Sequence, residues 1–176
     1  VGAYNALITY GQRFQKFKLK PAWQCRDKDE LFEKLNEIKI GQIKILITGG
    51  GRVAQGAMET LSVLGLNRVS PGEYLRNECS GPVYTQLDPW DYVKSLDGQN
   101  FELLHFFNLP EEYETTFLPY TEATDVYIAC HFWDPRSPVF MTREDMQQKE
   151  FRIKVIADVS CDVNGPIPST IRASTI

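Results

Sequence analysis

Apolar positions in this chain follow a helical period in some stretches and merge into short β-branched runs in others. Between Val1 and Phe17, Tyr4, Leu7, Ile8 and Phe14 recur near a 3.6-residue spacing, with Gly11 as a weak point, and Pro21 cannot continue a helix. A second helix is predicted from Asp27, whose carboxylate caps the first turn with Glu30 as its box partner. Leu31, Phe32, Leu35 and Ile38 give it one apolar face, and Gly41 ends it. Ile43–Thr48 is a short apolar run typical of a strand inside a parallel sheet. Gly49-Gly50-Gly51 then feeds into a helix reaching about Leu64, which buries Val53, Ala57, Met58, Leu61 and Leu64 before Gly65 stops it.

Further along, Arg68–Ser70 predicts a short strand ahead of a Pro71-Gly72 turn, and Val83–Leu87 a third strand. The aromatic-rich stretch from Asp88 to Tyr120 is broken by Pro89, Pro110 and Pro119, which predicts short helices and loops packed on the sheet. Asp125–Cys130 reads as a fourth strand, Arg143–Lys149 as a short helix capped by Thr142, and Ile153–Val159 as a fifth strand. Asn164–Pro168 reads as extended loop. Strands alternating with helices predict a Rossmann-like, three-layer α/β/α fold with a mostly parallel sheet and extra N-terminal helices. Residues 1–42 are expected to pack on or link to a nucleotide-binding domain over residues 43–176.

Composition narrows the class. With 176 residues and 43% hydrophobic content the chain suits one domain with a real core. The 19 basic and 23 acidic residues are dispersed, so no basic block points to nucleic acid. No apolar run approaches the roughly 18 residues of a membrane span. The chain opens on Val1 with no signal-peptide pattern, and its start reads as a cut within a longer protein. Cys25, Cys79, Cys130 and Cys161 are widely separated and do not combine with His105 and His131 at metal-ligand spacing, so no metal site is expected. Unpaired thiols fit a reducing, cytoplasmic setting.

The chemistry is concentrated at the glycine turn. A strand ending in Gly49-x-Gly51-x-x-Ala54 and entering a helix carries the dinucleotide fingerprint. The first glycine permits the tight turn, the second lets backbone approach a pyrophosphate, and the small third residue lets helix and strand pack closely. The pyrophosphate is expected on free N–H groups at the positive end of the helix, next to Arg52 and Val53. A strand-to-helix turn that binds nothing and a methyltransferase glycine loop are the competing readings. For NAD, an acid about 20 positions on bonds the ribose, and Glu73 is the carboxylate in range. Arg52 suits the 2′-phosphate of NADP or the pyrophosphate of either cofactor, so NAD or NADP is left open.

Ligands of such sheets bind beyond the carboxyl ends of the strands. That selects Cys130, His131, Phe132 and Trp133 after the fourth strand, and Asp158, Val159 and Ser160 at the fifth. Phe132 and Trp133 suit the wall of a nicotinamide or substrate pocket. His131 is an acid/base by residue type, yet no second titratable group is set to tune it.

These segments resemble the alanine dehydrogenase/saccharopine dehydrogenase family, nearest to its lysine-forming saccharopine dehydrogenases of the lysine–ketoglutarate reductase type. The resemblance is carried by Gly49–Ala54, by Cys130-His131-Phe132-Trp133-Asp134-Pro135-Arg136-Ser137-Pro138, and by Ile156–Asp162. Asn108–Tyr113 and the closing Arg172–Ile176 also fit. It implies an oxidoreductase acting on a CH–NH bond, in which an amino acid and a 2-oxo acid are joined or split through an imine and a nicotinamide cofactor carries hydride. It further implies that Gly51 and Arg52 meet the pyrophosphate and ribose, and that Cys130 and His131 line the nicotinamide side. Asp158 to Ser160 would contact the nicotinamide ribose, and Phe132 and Trp133 would face the substrate. The family usually carries an apolar residue where His131 stands. Its catalytic Lys and His belong to a separate N-terminal domain, so no catalytic residue is assigned here and the amino-acid substrate is shared with that domain. Faces normally covered by it, including the Val1–Phe17 helix, are candidates for homo-oligomer pairing. The alternative from another class is a non-catalytic nucleotide-sensing or interaction module with the same fold.

Overall fold

The computed structural model describes residues 1–76 and 80–173. Cys79 and the closing Ser174-Thr175-Ile176 lie outside the described residues. Helices α1 (Gly2–Arg13) and α2 (Lys28–Asn36) precede β1 (Lys44–Thr48), α3 (Arg52–Val63), β2 (Asn67–Arg68), α4 (Pro71–Arg76) and β3 (Val83–Leu87). An excursion then carries α5 (Pro89–Tyr92), β4 (Val93–Ser95), α6 (Leu103–Asn108), β5 (Tyr113–Thr115) and α7 (Leu118–Ala123). The chain re-enters the sheet as β6 (Val126–Ala129) and β7 (Val155–Asp158).

The central sheet has five strands in the order β2-β3-β1-β6-β7, and every pairing within it is parallel. Helices cover both faces, giving a Rossmann-like three-layer α/β/α fold. All five residues of β1 and of β3 are buried, as expected of parallel strands covered on both sides. Period-two alternation divides them between the two cores. Ile43, Ile45 and Ile47 face α1, α2 and α3, whereas Leu46 faces Tyr74, Phe117 and Tyr127 on the other side. Among the described residues, no helix is long and apolar enough to cross a membrane.

The N-terminal helices are part of this packing. After β2 the chain runs through elements that fill the Tyr74/Phe117 core, and among the described helices that follow α2 only α3 packs in the opposite core. Alpha1 fills the remainder of that face with Tyr4, Leu7 and Ile8, none more than 1% exposed, packed beside β6, β7 and α3. Its glycines permit this. A Cβ on Gly2 would lie 2.5 Å from the Val159 side chain, and one on Gly11 would lie 2.5 Å from the Phe17 ring.

Several boundaries differ from the pattern's prediction. Alpha1 ends at Arg13, and Gln15 takes the left-handed conformation (φ 52°) that folds Phe17 back onto Gly11. Asp27 does cap α2 by accepting from the Glu30 N–H at 2.9 Å. The Glu30 carboxylate, however, accepts from Lys20 Nζ (2.6 Å) and from the Arg26 N–H (2.8 Å), not from Asp27. Alpha2 stops at Asn36, short of Gly41. Pro71-Gly72 opens α4 where a turn was expected, because Ser70 and Glu73 form a reciprocal cap: the Glu73 carboxylate accepts from the Ser70 N–H and hydroxyl (2.9 and 2.6 Å). The helix expected over Arg143–Lys149 is a single turn at Asp145–Gln147. The antiparallel β4/β5 pair was not foreseen, since three-residue strands are too short to show a period.

Candidate functional site

Everything that positions the site follows from how the chain leaves β1. Gly49 donates to the Leu87 carbonyl at 2.9 Å and adopts φ +95°, a conformation that L side chains rarely adopt. A Cβ there would meet the Cys130 carbonyl oxygen at 2.7 Å and the His131 Cα at 2.8 Å. The tight turn is therefore a close approach between the ends of β1 and β6. Gly51 differs: it is extended, with nothing within 4 Å of a would-be Cβ, and it stands at the N-cap of α3 with no side chain satisfying the helix. A 12-residue helix thus presents its first-turn N–H groups uncapped toward open space, at the carboxyl edge of a parallel sheet. Ala54, the small third residue of the fingerprint, is fully buried.

On the β6/β7 side of the turn lies a cleft of about 730 Å³ between the N-terminal ends of α1 and α3, the Trp23–Cys25 segment and α2. It brings together Arg52, Val53, Cys130 and Val159 of the residues selected from sequence. Its volume lies in the range of small-molecule sites. Val53 lines it because the side chain is exposed (51%); the expectation that it belonged to the core was wrong, and Ala54, Ala57, Thr60 and Leu61 form the buried face of α3. The Cys130 thiol is pushed up to about 11 by burial first and by the Asp158 charge second, so it is a neutral wall of the cleft.

His131 is not beside it. Strand alternation sends Cys130 toward α1 and α3 and turns His131 to the opposite face, against the Phe140 ring at 4.5 Å. His131 Nδ1 and the Tyr127 hydroxyl both hydrogen-bond the Thr48 hydroxyl, at 2.8 and 3.0 Å, and His131 Nε2 has no partner among the described residues. Burial lowers its pKa to about 4 against a weaker opposing pull from Asp158, which keeps the ring neutral. Because the unfolded ring titrates near 6.5, folding stability is fully present above that value and falls as the pH drops toward 4, by roughly 3 kcal/mol from this group. Urea unfolding at pH 7 and pH 4.5 checks it: His131→Asn is expected to lose most of that decline.

At the end of β7, the Asp158 carboxylate accepts from Ser160 Oγ (2.6 Å), the Cys161 N–H (3.1 Å) and Thr170 Oγ1 (2.6 Å). Its observed work is to hold the Val159–Thr170 loop at the strand end, with Cys161 in the left-handed region (φ 59°). Ser160 is engaged in the same hydrogen bond. Phe132 is 86% exposed, and the half-buried Trp133 has an indole N–H without a partner among the described residues.

On the β3 side the structure replaces one expectation. Glu73 follows β2, the outermost strand, and its carboxylate caps α4. The strand beside β1 on this side is β3, and Asp88 follows its last residue. Gln86 donates to the Gly49 carbonyl (3.2 Å) and accepts from Arg68 (2.8 Å). Asp88 Oδ1 lies 2.5 Å from where a Gly50 Cβ would be. Asp88 and Gln86 escaped the sequence reading because the offset of about 20 residues presupposes that the second strand in sequence is also the neighbour of the first in space. The available signal was an acid directly following the apolar run Val83–Leu87.

This is a Rossmann-like α/β sheet with an open, uncapped helix start at its topological switch point, where the chain leaves β1 for β2 and β3 on one side and returns as β6 on the other. No family model matches the chain. It is 25% identical over 154 residues to alpha-aminoadipic semialdehyde synthase of Arabidopsis thaliana, a match covering 74% of this chain. The chain corresponds to 14% of that relative's length.

Proposed function

We propose that this chain is the nicotinamide-dinucleotide-binding domain of an amino-acid oxidoreductase of the lysine-forming saccharopine dehydrogenase or alanine dehydrogenase type. The observation that carries the proposal is the uncapped start of α3 behind the Gly49 turn, with open space at Gly51 and a cleft on one side. The likeness to alpha-aminoadipic semialdehyde synthase supports the same class. When bound, the dinucleotide supplies hydride to or from the carbon of a CH–NH group. The α3 N–H groups hold the pyrophosphate and Arg52 adds positive charge beside it. Cys130 and Val159 bound the nicotinamide side as neutral walls, and the Val159–Ser160 backbone is set there by Asp158. Phe132 and Trp133 border the amino-acid substrate, which is shared with a second domain that brings the acid/base groups.

The test exploits the difference between the two turn glycines. Gly51→Asp introduces a preferred N-cap in a position with room for it, so the melting temperature is expected to hold or rise. The same carboxylate occupies the N–H groups and repels a pyrophosphate, so NADH affinity is expected to fall by on the order of 100-fold in a fluorescence titration. Equal affinity in the two proteins would contradict pyrophosphate binding at α3.

A further inference from the structure

Trp23, on the loop between α1 and α2, is 76% exposed and lines the same cleft as Arg52, Cys130 and Val159. We infer that its indole stacks on the nicotinamide ring of the bound dinucleotide. The inference rests on the dinucleotide reading above and adds to it a ring-binding residue that belongs neither to the sheet nor to the glycine turn.

The loop that carries Trp23 is braced at both ends by one carboxylate. Glu30, in the first turn of α2, accepts from Lys20 Nζ at 2.6 Å and from the Arg26 N–H and Nε at 2.8 and 3.0 Å. The Lys20 carbonyl in turn accepts from the Tyr4 hydroxyl at 2.7 Å, which ties the loop to the buried face of α1. Between these ends Pro21 opens a single turn at Ala22–Gln24. The Gln24 N–H bonds the Pro21 carbonyl (2.9 Å) and the Cys25 N–H bonds the Ala22 carbonyl (3.1 Å). Hydrogen bonds from Lys20 first and Arg26 second hold the Glu30 carboxyl down at about 2, so the brace stays charged at neutral pH. An aromatic ring on a braced loop loses little freedom when a ligand covers it, so most of the contact energy is left for affinity.

The position of the cleft selects the ring. A dinucleotide bound across the switch point has one mononucleotide half on each side of it. Adenosine belongs with the strands that directly follow the turn, here β2 and β3, so the β6/β7 side takes the nicotinamide half. The other walls of the cleft suit a flat, uncharged contact, since Val53 and Val159 are apolar and the Cys130 thiol is neutral. Lys28, a further cation of the cleft, is neutralised by Glu59 at 2.7 Å. In its oxidised form the nicotinamide ring is a pyridinium cation, which the negative face of an indole attracts beyond what contact area alone supplies.

The experiment is a calorimetric titration of the wild-type chain, Trp23→Leu and Trp23→Phe with NAD⁺ and with ADP-ribose, which is the same molecule without the nicotinamide. Each protein is first melted, and because the side chain is exposed both variants are expected to keep the wild-type melting temperature. Trp23→Leu is expected to weaken NAD⁺ by about tenfold and to leave ADP-ribose unchanged. Trp23→Phe is expected to retain most of the NAD⁺ affinity, since it restores a ring. A stacked indole–pyridinium pair also absorbs at longer wavelength than either ring alone, so wild type is expected to gain that absorption as NAD⁺ is added and Trp23→Leu is not. NAD⁺ affinity unchanged in Trp23→Leu, or ADP-ribose weakened as much as NAD⁺, overturns the stacking assignment while the dinucleotide reading stands. A folded wild type that binds neither ligand at millimolar concentration overturns both.

Discussion

Gly49→Ala is expected to destabilise the protein by about 3–4 kcal/mol, lowering the melting temperature by roughly 10 °C. Two costs add. The first is conformational: φ at Gly49 is +95°, well outside the ranges alanine readily adopts. The second is steric, because the new Cβ meets the Cys130 carbonyl oxygen at 2.7 Å and the His131 Cα at 2.8 Å. Both are backbone atoms at the end of a buried strand, so relief requires separating β1 from β6. Thermal and urea unfolding measure the loss, and a ΔΔG below about 1 kcal/mol would show that the strand ends are not held as described. The contrast with Gly51→Asp is expected to separate two roles in one turn: Gly49 is required by the fold, whereas Gly51, on the function proposed here, matters for the ligand.

Asp125→Ala is expected to cost about 2–3 kcal/mol, at the opposite end of the same strand. The Asp125 carboxylate accepts from the Lys44 N–H at 3.0 Å, tying the start of β1 to β6, and pairs with Arg152 (3.2 Å) and Lys154 (3.1 Å) at the entrance to β7. Its side chain is 5% exposed while both cations are nearly half exposed, so the figure sits below that of a fully buried pair. Burial alone would raise the pKa of this carboxyl. The Lys44 N–H outweighs it together with Lys154 and Arg152, and the group is held below its usual range. With a depressed folded-state pKa, its contribution is present above about pH 4 and is lost as the pH falls further. Asp125→Asn should keep part of the β1 tie and flatten this segment of the stability–pH curve. An unchanged curve would show that the cations do not act on the carboxylate.

Asp125 and His131 together predict a domain that weakens in acid in two steps from two causes. A neutral buried ring is forced to charge first, and a paired carboxylate is forced to discharge at lower pH. Their separate variants assign each step.

Much of this was legible along the chain because it depends on local order. The apolar run at Ile43–Thr48, the glycines after it and the period from Ala54 to Leu61 specify a strand, a turn and an amphipathic helix with no reference to distant residues. Alternation of strands and helices was enough for the layered α/β class. Legibility failed wherever a residue's partner lies far away in sequence. Val53 has the right spacing for the core and is exposed, because the helix start it sits on faces a cleft rather than the sheet. Glu30 was paired by proximity with Asp27 and is claimed by Lys20 and Arg26. Cys130 and His131 are neighbours in sequence and lie on opposite faces of the sheet, which strand geometry implies once the strand's end is known.

The sequence by itself determined the main strands and helices and the glycine turn, since backbone conformation and hydrophobic period act over a few residues. Tertiary structure alone decided the order of strands across the sheet. By placing β3 rather than β2 beside β1, it set Asp88, not Glu73, against the glycine turn. Strand order is set by which faces can be buried together and which crossovers the chain can make, and neither is written in the spacing of residues along it.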